Sequence, residues 1–177
     1  MTDSIKRRNL LAGGAATLGF YVIGGKLTQA TAAEATAKGF TPRALTKDQV
    51  AALEAIAEAL VPGSKAQGVG AYIDSQLASG DDSKLIAKYL GVGTPSQAGF
   101  YSAALDAALK QSQLSVAPEV FTRALATDAV NDWQGPPGSY FTFVLRADAL
   151  DVVYGTPQGF ESIGVPYMAH IQPEASW

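Results

Sequence analysis

The chain has 177 residues, 47% hydrophobic and 16% charged, which suits one folded domain with a substantial core and excludes extensive disorder. It holds no cysteine and one histidine, which excludes disulfides, thiolate and iron–sulfur ligation, covalent haem attachment and any two-histidine metal site. A net charge of −3 offers no basic footprint for nucleic acid, and 31 alanines favour helix over sheet.

Residues 1–32 read as an export signal. Lys6, Arg7 and Arg8 form a basic head, and Ala30-Thr31-Ala32 offers a signal peptidase small residues at Ala30 and Ala32. Between them Leu10–Gly25 is an uncharged run of 16 residues, short of the roughly 20 needed to cross a bilayer. Its five glycines make it a weakly hydrophobic helix former. The pair Arg7-Arg8 followed by Asn9-Leu10-Leu11 resembles a twin-arginine signal, whose route carries folded cargo. A general secretory signal and a retained anchor are the alternatives. Without residues 1–32 the chain keeps nine basic and fifteen acidic residues, a net charge of −6. That suits a soluble periplasmic protein better than an electrostatic membrane binder.

Residues 33–44, with Gly39 and Pro42, read as a linker, and a helical domain spans 45–155. Thr46-Lys47-Asp48-Gln49 is a capping box, after which Val50, Leu53, Ala57 and Leu60 recur at helical spacing until Val61-Pro62-Gly63. A second helix is predicted over 69–77, with Ile73 and Leu77 on one face. A short third helix, capped by Asp82 or Ser83, carries Leu85, Ile86, Tyr89 and Leu90. After the break at Gly91–Pro95, a long helix is predicted over 96–113 with Phe100, Tyr101, Leu105, Ala108 and Leu109 as its buried stripe. Pro118 suits the first turn of the next helix, predicted to run to Asp132. Gln134–Gly138 forms a stiff turn, and Ser139 is placed to cap a strongly apolar helix over 140–154. Tyr140, Phe143, Ala147, Leu150 and Tyr154 make one stripe of that helix, and Phe141, Val144, Leu145 and Val152 a second. So wide an apolar arc belongs to a central core helix or to half of an interface. Residues 156–177 read as an irregular tail of Gly, Pro and large apolar side chains. Within it Phe160, Ile163, Pro166, Tyr167 and Trp177, together with Tyr154, are candidates for contact with a partner; folding back over the bundle is the alternative. No strand alternation or internal repeat stands out. The expected class is all-α, a small irregular helical bundle with an extended C-terminal tail behind a signal peptide.

Reactive constellations are sparse. His170 sits in the tail with no orienting carboxylate near it in sequence. Asp148 and Asp151 share a helix face, which permits acid–base work but fits a solvated face, or a pair with Arg146, more readily. Gly91-Val92-Gly93 lacks the third glycine of a dinucleotide fingerprint and follows no strand. No catalytic, cofactor-binding or metal-ligating residue is assigned in this chain.

A series of short segments carries a resemblance: the twin-arginine leader, Leu45-Thr46, Leu60-Val61-Pro62, Tyr72-Ile73-Asp74, Phe143-Val144-Leu145-Arg146, Val153-Tyr154-Gly155 and Phe160–Pro166. In order and spacing these resemble the gluconate 2-dehydrogenase subunit 3 family, the small subunits of bacterial membrane-associated flavin dehydrogenases. The likeness covers most of residues 1–168. It implies a non-catalytic partner of a large GMC-type flavoprotein that holds FAD and oxidises a sugar, sugar acid or polyol. A c-type cytochrome subunit carrying haem c often completes such complexes. The small subunit supplies the export signal, assists maturation of the flavoprotein and stays bound to it in the periplasm, so that membrane association is indirect. A stand-alone exported helical binding protein, and an enzyme using Asp148 and Asp151, are the rival readings.

Overall fold

The structure, a computed structural model, describes residues 18–92 and 94–165. It corrects the all-α expectation: the fold is mixed α/β, mostly helical with a three-stranded antiparallel sheet. Strand β1 (Leu18–Ile23) and strand β2 (Lys26–Thr31) form a hairpin whose register runs from Ile23 opposite Lys26 to Leu18 opposite Thr31. Strand β3 (Phe40–Thr41) pairs with the other edge of β1, giving the order β2-β1-β3. The cause lies in Gly24 and Gly25, which adopt φ values of 56° and 76°. Two consecutive positive-φ residues make the two-residue turn whose twist matches a hairpin, and glycine adopts it without a Cβ penalty. The run before them, Phe20-Tyr21-Val22-Ile23, is aromatic and β-branched. Alternation is present as well: Tyr21 and Ala30 are buried, whereas Phe20 and Leu27 are exposed.

Helix α1 (Ala32–Ala37) follows directly, so the segment read as a linker is folded in its first half and contributes β3 in its second. Its start is a capping box: Glu34 N–H donates to Thr31 Oγ1, and Thr31 N–H donates to Glu34 Oε2. Helix α2 (Lys47–Leu60) begins at the expected capping box, with Gln49 N–H on Thr46 Oγ1 and Thr46 N–H on Gln49 Oε1. Helix α3 (Val69–Leu77) has its expected bounds. The expected third helix is instead a 3-10 turn (Gly80–Asp82) and a short α4 (Ile86–Tyr89). The long helix ends early as α5 (Thr94–Leu109), and a separate α6 (Ser112–Val116) follows. Helix α7 (Pro118–Ala126) starts on its proline but stops short of Asp132; Asp128 and Asp132 both take φ 54°, which no helix continues through.

Helix α8 (Gly138–Tyr154) has no cap from the Ser139 side chain; the Ser139 N–H donates to Asp128 Oδ1, so the preceding loop satisfies it. In the segment read as an irregular tail, Thr156 caps a short helix α9 (Pro157–Ser162) by accepting from the Gly159 N–H. Helix α8 packs against α2, α3, α4, α5, α7 and α9 and is the centre of the bundle. The sheet and α1 lie against α3.

Candidate interaction surface

Helix α8 presents two apolar faces with different fates. Phe141, Val144, Leu145, Ala149 and Val152 are fully buried. Phe141 stacks edge-on against Tyr101 at 5.9 Å, in an aromatic group that Phe100 and Tyr140 extend. The stripe that begins at Tyr140 turns outward beyond that residue, which itself packs on Phe100. Phe143 is 57% exposed, Leu150 is exposed, and Ala147 and Tyr154 are half-buried. Positions 143, 147, 150 and 154 repeat at helical spacing and so line one face. Helix α9 packs on α8; just past its end Ile163 is 54% exposed, followed by exposed Val165, and Phe160 is half-buried. Large apolar side chains left in water at helical spacing are the mark of an unpartnered face.

The two aspartates of α8 separate. Asp148 is 1% exposed, whereas Asp151 is exposed, and so is Arg146. Both carboxylate oxygens of Asp148 are engaged: Oδ1 accepts from the Ile86 N–H at 2.9 Å and Oδ2 from the Tyr101 hydroxyl at 2.6 Å. Burial pushes the Asp148 carboxyl up to about 6, against the pull of those two donors, and the charge of Asp151 adds slightly. Burial, and then the neighbouring Asp148, also push the Tyr101 phenol well above its ordinary value, so it remains a donor. With both oxygens committed, Asp148 ties α4 and α5 to α8.

Sequence reasoning missed two further polar anchors. Asp74, buried on α3, accepts the backbone N–H groups of Arg43, Ala44 and Leu45 at 2.9 to 3.1 Å and folds the chain entering α2. The Gln49 side-chain amide donates to Ser102 Oγ and Asp106 Oδ1, joining α2 to α5. The signal for Asp74 was a carboxylate directly after Tyr72-Ile73 on a helix, whereas Gln49 follows Lys47-Asp48 and carries no local mark of burial. Buried polar groups of this kind are kept because they are satisfied. Among the described residues, two open clefts stand out. One, of about 340 Å³, lies between α2 and α6 and is lined by Ala51, Ala55, Leu109 and Leu114. The other, of about 390 Å³, lies beside the sheet and is lined by Phe20, Leu27, Arg43 and Gln76. Neither contains Asp148 or Asp151.

Of the residues singled out in the sequence, Ala30 is 3% exposed within β2 and Ala32 is fully buried at the start of α1. Arg7, Arg8, Pro166, Tyr167, His170 and Trp177 lie outside the described residues. Among the described residues no three histidine, aspartate or glutamate side chains gather as a metal site would need, and no helix is long and apolar enough to cross a membrane. No family model, no curated protein and no solved structure matches the chain.

Proposed function

We propose that this chain is the non-catalytic small subunit of an exported FAD-dependent dehydrogenase complex acting on a sugar, sugar acid or polyol. Its partner is a large GMC-type flavoprotein, which holds the FAD; a c-type cytochrome with haem c relays electrons where the complex includes one. The chain's own contribution is an export signal at Arg7-Arg8, by which the folded flavoprotein is carried through the twin-arginine route, and a docking face that keeps the partner stable afterwards. The observation that carries this reading is the outward stripe of α8, with Phe143 57% exposed and Leu150 exposed. A helix that already fills a core on one side gains nothing for its own fold from a second apolar side; covering that side removes apolar area from water at about 25 cal/mol per Å². The ordered resemblance of Leu45-Thr46, Leu60-Val61-Pro62 and Val153-Tyr154-Gly155 to the gluconate 2-dehydrogenase subunit 3 family supplies the identity of the partner.

The test is purification of the natively expressed, C-terminally tagged chain from periplasm and membranes. The expected result is a larger protein with flavin absorbance in the eluate, absent when Phe143→Asp and Leu150→Asp are combined while the circular dichroism of the chain stays unchanged. Recovery of a monomer without flavin would refute the subunit reading and favour the stand-alone binding protein.

A further inference from the structure

We propose that residues 18–32 are a permanent part of the folded protein, and that the Ala30-Thr31-Ala32 segment is never cut by a signal peptidase; any processing of the leader falls before Leu18. A peptidase needs its substrate extended and accessible, and cleavage concentrates where backbone is exposed and unpaired. Here the reverse holds at the three residues that lead into the bond. Ala30 lies in β2 opposite Gly19 and is buried. Thr31 is engaged in both hydrogen bonds of the α1 capping box. Ala32 is buried as the first residue of α1.

The Ala32–Ala33 peptide is itself covered. A Cβ on Gly68 would stand 2.3 Å from the Ala32 carbonyl carbon and oxygen and 2.7 Å from the Ala33 nitrogen. The backbone entering α3 therefore rests directly on the bond, and Gly68, at φ 84°, is the residue type that permits it. Removal of residues 1–32 would also strip the fold. Helix α1 would lose its cap and first residue, the two-residue β3 would lose β1, the only strand it pairs with among the described residues, and α3 would lose Tyr21, which is 2% exposed and hydrogen-bonded to Ser75. A chain exported folded carries this arrangement across the membrane already closed. Tyr21, Ala30 and Ala32 thus end in the core rather than in a discarded peptide.

The experiment maps the N-terminus of the native, C-terminally tagged full chain by intact mass and N-terminal sequencing, in every fraction that contains it. An N-terminus at or before Leu18 is expected; a folded protein beginning at Ala33 would overturn the proposal. A second measurement reads the same claim without relying on the peptidase. Tyr21→Ala in the full chain, remote in sequence from the Ala32–Ala33 bond, is expected to lower Tm by roughly 10 °C. An unchanged Tm would show that the segment is not part of the mature fold, and would overturn the proposal equally. Failure to recover a flavoprotein would count against the subunit reading and leave both of these results intact.

Discussion

Asp148 shows how one side chain can look reactive in a sequence and be structural in the fold. Its carboxyl is raised from 3.8 to about 6, mainly by burial. The folded protein therefore takes up this proton more readily than the unfolded chain does. The stability linked to the group is fully present below about pH 4 and is lost as pH rises through about 6, a change of about 2 to 3 kcal/mol. Urea unfolding of the wild type and Asp148→Asn from pH 4 to pH 7.5 measures it. The advantage of the wild type over the variant is expected to shrink by that amount as pH rises; an advantage that grows would contradict the burial argument. Nothing local distinguished Asp148 from Asp151, three residues on. The difference arises because α4 and α5 bring the Ile86 N–H and the Tyr101 hydroxyl to one of them.

At the scale of elements, α8 is the decisive piece because its two apolar stripes differ in burial. Phe141→Ala empties a site closed in by Tyr101 and Phe100 and is expected to cost about 3 to 5 kcal/mol in chemical unfolding. Phe143→Asp, on the outward stripe, is expected to change stability by no more than about 0.5 kcal/mol, since no core packing is lost. Equal losses in the two variants would mean that both faces belong to the core, and would remove the docking surface. The sequence showed both stripes but not which one faced inward, because periodicity defines a face only relative to the helix axis. Local chemistry placed other elements well. Thr46 and Gln49 start α2, and Pro118 starts α7, through bonds and torsions that lie within a few residues. It did worse where distant groups intervene. The N-terminus of α8 is served by Asp128 from the preceding loop rather than by Ser139, its own nearest candidate.

For the whole molecule, the proposed export role depends on Arg7 and Arg8. Replacing both with lysine is expected to leave this chain and the proposed flavoprotein partner in the cytoplasm, read by activity and immunoblot of the fractions. Export of the flavoprotein in that double variant would refute carriage by this chain. What the sequence determined by itself was the set of strong local stops and starts, the lack of thiols and paired histidines, and an excess of apolar helix surface over what one small core absorbs. Only the tertiary structure decided the fate of residues 18–32. An uncharged, glycine-containing run suits a leader helix and a hairpin alike when considered alone. The choice falls to the hairpin because β1 packs on α3 with Tyr21 buried, because β2 packs on α1 with Ala30 buried, and because Gly68 lets the α3 loop close onto Ala32. The contacts with α3 and its loop join residues far apart in the chain, and no window short enough to show a periodicity contains both sides of them.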